Sequence, residues 1–428
     1  MGKQQIMIYG VNFISNEIHP KVCQKYLPVC FIRENDTVSE EIFHDLPVYS
    51  VETALEKYPQ HQILLAVSHF DKHKVIEHLL DQGVSTEQII GFHGPVEERW
   101  GCAYLGEYAA FWHGELRHCC SLSSTYQIPN KSFYQPSGAE TYHSFISDTQ
   151  TLIQNIQNDE FRQKYCGDCQ LLRYGKWLSG EYLDKVNIGI ESPCNYRCIY
   201  CATEKGPYGG VPLDDGSSIE SALQTLRYCK EEGRLDDFSY FFISCGEPSI
   251  HPRIEEITEL VGDYRCTFAI NASIYSEQIA TVLKKGMSTL RVSIDAGTPE
   301  TYAKVRGVSA DFYEKVHDNL KKYAEIGKQY VELQYILIPG ENVDDENIEG
   351  FCSFAQDVCK SVLITRDRIH QQEIDVQTAR AYAKLRRKLE ATGIRVRVFA
   401  EAVLAFSQEE RDRMDFYAHE VGGDTSAK

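Results

Sequence analysis

Between residues 185 and 370, short apolar runs alternate with amphipathic helical patterns, and this constrains the fold more than any other feature. Val186–Glu191, Tyr240–Ser244, Thr267–Ile270, Thr289–Ile294, Val331–Ile338 and Ser361–Thr365 have the length and apolar content of buried strands. Segments 217–232, 253–262, 276–285, 309–327 and 344–358 carry helical spacing between them. Regular alternation of this kind favours parallel pairing, because a parallel connection must cross back over the sheet and a helix is the usual crossover. The expected fold is α/β: a curved, partial (β/α)6 sheet, an incomplete TIM-like barrel. Its active site belongs at the C-terminal ends of the strands.

A chain of 428 residues has room for two to four domains. Residues 1–92 read as a small Rossmann-like α/β domain, with strands at Gln5–Tyr9, Pro28–Ile32, Gln62–Val67 and Gln88–Phe92 and a helix from His73 to Gln82. Residues 93–184 are rich in Tyr, Ser, His and Cys, and only Asp148–Phe161 reads as helix. Such a segment builds a core with difficulty, so something else is expected to hold it. Residues 185–370 are the barrel. Residues 371–428 read as a C-terminal extension: helix 371–392, strand Arg395–Phe399, helix 401–419 and a disordered tail from Gly422.

Charge and cysteine content narrow the function. The net charge is −18 and no long basic run occurs, which disfavours a nucleic-acid partner. No run reaches the length of a membrane span. Met1 to Pro20 has neither the pattern of a signal peptide nor, with Ile6 in place, that of a myristoylation site. The 15 cysteines are therefore read as cytoplasmic thiols that stay reduced, lie buried or bind metal.

The most informative cysteines follow the first barrel strand: Cys194, Cys198 and Cys201, spaced C-x3-C-x2-C. A short loop of this kind folds three thiolates round one face of a four-iron cubane and leaves one iron free to bind substrate. Zinc is the alternative, but a closed zinc site needs a fourth Cys or His, and none follows within the loop.

Cys194-Asn195-Tyr196-Arg197-Cys198-Ile199-Tyr200-Cys201 resembles the C-N-x-x-C-x-Y-C signature of the radical S-adenosylmethionine (radical SAM) superfamily, and the resemblance runs to about residue 340. It implies a [4Fe–4S] cluster whose unique iron chelates S-adenosylmethionine. Reductive cleavage then yields a 5′-deoxyadenosyl radical that takes hydrogen from the substrate. Ser244-Cys-Gly-Glu-Pro248 resembles the family's G-G-E-P motif, with Cys245 replacing the first glycine. That implies that Gly246 and Glu247 meet the methionine amino group. Asn271 stands in a T-N-G-like segment. Residues 291–307 resemble the run V-S-I-D-x-x-x-P-E-x-Y-x-x-x-R-G, which implies Ser293 and Asp295 at the ribose and Arg306 at the methionine carboxylate. Ile338 falls in the segment resembling the adenine-stacking strand end, and Tyr200 lies in the cluster loop.

A second set, Cys102, Cys119, Cys166 and Cys169, has the spacing C-x11-G-x4-C, then C-x2-C. It resembles the SPASM and twitch auxiliary-cluster modules, in which a hairpin with glycine at its turn carries the first ligand pair. That resemblance implies a second [4Fe–4S] cluster, although here the module precedes the barrel. Cys120 competes with Cys119, because neighbouring residues on a strand face opposite ways. A four-cysteine zinc knot and a redox C-x-x-C remain alternatives. In the N-terminal unit, Asn12 and Ser15 stand where a dinucleotide fingerprint has glycines, so the loop after Gly10 should hold a pyrophosphate poorly. The unit resembles degraded Rossmann-like domains of sugar-modifying enzymes. Docking, including homodimerisation, and nucleotide or nucleotide-sugar binding both stay open.

The expectation is a radical SAM enzyme of oxidoreductase or isomerase type, served by a reductase or flavodoxin-type electron donor. Its substrate is a small polar molecule, such as a sugar or nucleotide derivative, or else a ribosomally made peptide. The contrasting reading is a non-enzymatic iron–sulfur or zinc scaffold or sensor.

Overall fold

A computed structural model describes residues 2–34, 41–91, 94–112, 114–118, 131–167, 169, 171–178, 181–189, 194–201, 217–244, 246–367, 373–398 and 407–420. It has two compact units. The first comprises Met1–Asn187, Ser218–Phe241 and Asp263–Arg265; the second comprises Ile188–Ser217, Phe242–Gly262 and Cys266–Lys428.

The first unit opens with β1 (Gln5–Tyr9), α1 (Phe13–Lys25), β2 (Leu27–Arg33), β3 (Ile42–Phe43), β4 (Leu46–Ser50), α2 (Val51–Lys57), β5 (Gln62–Leu65), α3 (His69–Asp81) and β6 (Ile89–Ile90). These strands form one sheet in the order β3-β4-β2-β1-β5-β6, parallel except for β3 against β4. Alternation along β1 sends Ile6 and Ile8 to a core with Ile14, Ile18 and Val22 of α1. Met7 and Tyr9 go to the opposite core with Val51, Val75 and Leu79 of α2 and α3. Both faces of the sheet are thus covered, as parallel sheets require.

Next come β7 (Val96–Cys102), β8 (Tyr108–Trp112), β9 (Glu115–Arg117), β10 (Lys131–Phe133), α4 (Gly138–Asn155), α5 (Asp159–Cys166), β11 (Leu172–Leu178) and β12 (Leu183–Gly189). The helix expected over Asp148–Phe161 is in fact two helices. Asn158 accepts a hydrogen bond from the Phe161 amide and so starts α5 afresh. β8 and β9 form a hairpin with Trp112 opposite Glu115 and Gly114 in the left-handed region at its turn. β7 pairs instead with β11 in a separate two-stranded ribbon.

The remaining elements are α6 (Ser217–Glu231), β13 (Leu235–Ser244), α7 (Ile254–Val261), β14 (Arg265–Ile270), α8 (Glu277–Lys284), β15 (Thr289–Ser293), α9 (Pro299–Arg306), α10 (Phe312–Gly327), β16 (Val331–Leu337), α11 (Asp345–Val358), β17 (Ser361–Arg366), α12 (Val376–Ala391), β18 (Arg395–Val398) and α13 (Gln408–Glu420). In the second unit, β14 to β18 lie side by side in chain order, and every pair among them is parallel. The expected strands and helices of residues 217–365 fall on these elements within a few residues; α9 is an addition. Among the described residues no helix is long and apolar enough to cross a membrane. The tail from Gly422 lies outside the described residues.

Near the N-terminal ends of these strands sits a buried charge cluster. Glu332 accepts from Arg291 Nε at 2.8 Å, from Arg397 Nη1 at 2.6 Å and from Ser361 Oγ at 3.3 Å. Opposite charges there satisfy one another inside the sheet. The opposite, C-terminal ends of the strands are left for the site.

Candidate active site

The residues singled out in the sequence lie just past the C-terminal ends of successive strands. Gly246 and Glu247 follow β13, Asn271 follows β14, Ser293 and Asp295 end or follow β15, and Ile338 follows β16. Since β14 to β16 are parallel, Asn271, Ser293, Asp295 and Ile338 share one edge of the sheet.

In the cysteine loop, Cys198 is buried while Cys194 and Cys201 are half-buried. The Tyr196 amide donates to Cys194 Sγ at 3.5 Å, and Asn271 Nδ2 points to the same sulfur at 3.9 Å. Burial pushes the Cys198 thiol up to about 11, with the Arg306 guanidinium pulling the other way. That thiol is therefore protonated at neutral pH until a metal displaces the proton.

Glu247 is buried. One carboxylate oxygen accepts from the Ser249 amide at 3.2 Å and from its hydroxyl at 2.5 Å, and the other accepts from the Asn271 amide at 2.5 Å. Burial raises its carboxyl to about 7 despite these donors. Asn271 donates to Asn195 Oδ1 at 2.8 Å and accepts from the Ser273 amide at 2.9 Å, and Asn195 donates to Ser273 Oγ at 2.8 Å. The end of β14 is thereby tied to the cysteine loop.

Asp295 is fully buried and sits in the left-handed region, with φ 57°. Its Oδ1 accepts from the Ile336 amide at 2.7 Å, and its Oδ2 from Arg306 Nη1 at 3.1 Å and from the Tyr200 hydroxyl. Arg306 Nη1 also reaches the Tyr200 hydroxyl, whereas Arg306 Nε is buried with no hydrogen-bond partner among the described residues. Ser293 is half-buried and pairs in register with Gln334. Ile338, Ile336 and Val305 pack with Ile199 and Tyr200.

Sequence reasoning did not single out Asn342. Its Nδ2 donates to Asp295 O and Ile336 O, both at 2.8 Å, and its Oδ1 accepts from the Ile338 amide at 2.9 Å. It braces the strand ends that hold Asp295 and Ile338. The Pro339-Gly340 turn just before it was the available signal.

Of the second cysteine set, Cys119 lies outside the described residues, as do Cys120 and Cys245. Cys102 ends β7 in register with Leu172, whose amide donates to Cys169 O at 3.2 Å, and the Cys169 amide donates to Cys166 O at 2.9 Å. Three of the four cysteines thus come from segments that meet at one end of the ribbon. In the N-terminal unit, Asn12 Oδ1 accepts from the Ile14 amide at 2.7 Å and the Ser15 amide at 3.2 Å, taking up the start of α1. A cavity of about 70 Å³ borders Ile14, Val67, Lys72 and Phe238, which is far too small for a nucleotide.

The donor set suits an iron–sulfur cluster with a chelated amino acid. There are three thiols on one loop, an amide directed at a sulfur, a buried carboxylate on Glu247 and an Arg306 N–H with no partner among the described residues. Among the described residues no three His, Cys, Asp or Glu side chains converge as on a single metal ion. A cubane asks for something else, one thiolate on each of three separate irons.

Residues 190–352 match the family described as the radical SAM superfamily, and this stretch is a radical SAM domain. Such a domain implies S-adenosylmethionine and a [4Fe–4S] cluster. The chain is similar to the GTP 3′,8-cyclase of Aliarcobacter butzleri (strain RM4018), with 23% identity over 186 residues, 42% of this chain and 53% of that protein. It is similar also to the GTP 3′,8-cyclase of Peptoclostridium acidaminophilum, with 27% identity over 186 residues, again 42% and 53%. The chain thus spans about half the length of the curated relatives it matches. Among solved structures, it is similar to Streptococcus suis SuiB bound to S-adenosylmethionine, with 14% identity, TM-score 0.39, and coverage of 63% of this chain and 57% of that one.

Proposed function

We propose that the chain is a radical SAM enzyme that takes hydrogen from an unactivated carbon of a small polar substrate, a sugar or nucleotide derivative. One observation carries this: Asn271, just past β14, and Arg306, at the end of α9, both contact the three-cysteine loop, and Asn271 also contacts Glu247. When bound, the cluster supplies the electron that cleaves S-adenosylmethionine and so generates the 5′-deoxyadenosyl radical. Cys194, Cys198 and Cys201 hold the cluster. Glu247 accepts from the methionine ammonium, beside Gly246 and Asn271, and the Arg306 Nε–H donates to the methionine carboxylate. Ser293 and Asp295 serve the ribose, Asp295 while also accepting from Ile336, Arg306 and Tyr200. Ile338 and Tyr200 offer the adenine an apolar wall.

The alternation over residues 185–370 supports a partial (β/α)6 barrel, and the order β4-β2-β1-β5-β6 supports a Rossmann-like reading of residues 1–92. With Asn12 closing the start of α1, we favour docking over nucleotide binding for that unit. Residues 93–184 carry the proposed second [4Fe–4S] cluster on Cys102, Cys119, Cys166 and Cys169, as an electron acceptor in a net oxidation or an aid to epimerisation. Residues 371–428 extend the barrel. A cytoplasmic reductase or flavodoxin-type partner delivers the electron. The relatives named for a reaction of GTP support a nucleotide-type substrate over a ribosomally made peptide.

The test is anaerobic reconstitution followed by S-adenosylmethionine and dithionite. Methionine and 5′-deoxyadenosine are expected, with deuterium passing from a labelled sugar or nucleotide into the deoxyadenosine. Zinc in place of iron, with no cleavage, overturns the reading. Transfer from peptides alone overturns the substrate class.

A further inference from the structure

A loop of three cysteines has little reason to hold a shape before its cluster arrives. Backbone groups at the end of α9 give this one a reason. The last carbonyls of a helix have no partner within it. In α9 two of them are taken by the cysteine loop: the Arg197 amide donates to Arg306 O at 3.2 Å, and the Ile199 amide donates to Val305 O at 3.0 Å. Gly307 caps α9 in the left-handed region, with φ 64°. A Cβ at Gly307 would lie 2.2 Å from Arg197 O, so the loop backbone rests directly on the glycine. The side chains grip the same stretch. The Arg306 guanidinium lies 5.4 Å from the ring centre of Tyr196 and 5.7 Å from that of Tyr200, and Val305 packs on Ile199 and Tyr200.

We infer that the C-terminus of α9, Val305 to Gly307, is a template that sets the fold of the cysteine loop before any iron binds, with Gly307 as a positioning residue. The inference rests on the reading that Cys194, Cys198 and Cys201 hold the cluster. Only glycine meets both demands at 307, a left-handed backbone and contact with a carbonyl oxygen. Asn tolerates the first but not the second.

The experiment uses the full chain. In the cluster-free protein, hydrogen exchange at the amides of residues 197 and 199 should already be protected. Exchange there as fast as in an unstructured peptide overturns the template. In reconstituted protein, Gly307→Ala and Gly307→Asn should each raise the rate at which a chelator strips iron by about tenfold, the scale of one left-handed or clashing residue. Both should also weaken the change in the reduced cluster's EPR spectrum when S-adenosylmethionine is added. Gly393→Ala is the control, since Gly393 is also left-handed (φ 75°) but a methyl group added there would meet nothing within 4 Å. Wild-type stripping rates and spectra in both Gly307 variants overturn the inference. If Cys194→Ala/Cys198→Ala/Cys201→Ala holds as much iron as the wild type, the cluster assignment itself has failed, whatever the Gly307 variants do.

Discussion

Glu247→Gln separates the two tasks of the buried carboxylate. The glutamine amide is nearly isosteric but must place an NH2 where one carboxylate oxygen stood. Facing Ser249 it would confront two donors; facing Asn271, only one. The second orientation wins, and one buried N–H loses its acceptor, at about 1–3 kcal/mol of stability. The ionisable group also disappears. In the wild type the carboxyl is pushed up to about 7 by burial, from the usual 4.5. The folded state therefore keeps a proton that the unfolded chain releases. Wild-type stability should fall as pH rises from about 4.5 to about 7, by about 3 kcal/mol in full. Glu247→Gln should lack that slope. An ammonium beside Glu247 favours the ionised form, so S-adenosylmethionine binding should release a proton below pH 7 and tighten as pH rises through 7. Calorimetry of reconstituted protein in two buffers of different ionisation enthalpy measures that proton. The substitution should weaken binding by about 10- to 100-fold, the worth of a charge-assisted hydrogen bond. Unchanged affinity in Glu247→Gln, or a wild-type titration with no proton release at pH 6, refutes the assignment of Glu247 to the ammonium.

Further outcomes follow from other residues. The triple alanine variant of Cys194, Cys198 and Cys201 should fall from on the order of eight irons per chain to on the order of four, read by iron and sulfide analysis. Glu332→Ala takes this carboxylate from the buried Arg291 and the half-buried Arg397 and should cost about 3–5 kcal/mol in urea unfolding. Burial alone would raise the Glu332 carboxyl, but Arg291 and Arg397 more than reverse this, so its pKa is lowered. Its stabilising contribution is therefore present at neutral pH and is lost as pH falls below the usual carboxylate range, a loss that acid titration of wild type against Glu332→Ala measures. Asn12→Ala removes the cap of α1 and should cost about 1 kcal/mol in the same unfolding assay.

Much of this was legible in the sequence, for physical reasons that differ by element. Buried parallel strands such as Val331–Leu337 are apolar at most positions, Glu332 and Gln334 apart, and local pattern suffices to find them. The hairpin of β3 and β4 escaped because its turn, His44-Asp45, takes two left-handed residues without a glycine to mark it. α9 escaped because its eight residues carry Glu300, Lys304 and Arg306 and look like a run of site residues rather than a helix. Cysteine spacing exposed the loop, since its chemistry is contiguous in sequence. The links from Asn271 to Asn195, from Asp295 to the Ile336 amide and from Asn342 to Asp295 are not contiguous. They exist only once the strand ends are brought side by side.

The carboxamide of Asn12 has a consequence for redesign. In a parallel sheet ordered like the N-terminal one, the loops leaving β1 and β5 part to opposite sides and open the crevice where such sheets receive ligands. Here Asn12 Nδ2 donates to Ala66 O at 2.8 Å, sewing the loop after β1 to the loop after β5. Gly10 lies against the same carbonyl, with room for no methyl group. Restoring the missing glycines would thus do more than free the amides of α1. It would cut a stitch between two loops, and a chain evolved or engineered towards nucleotide binding here would have to trade rigidity of this sheet for an opening in it.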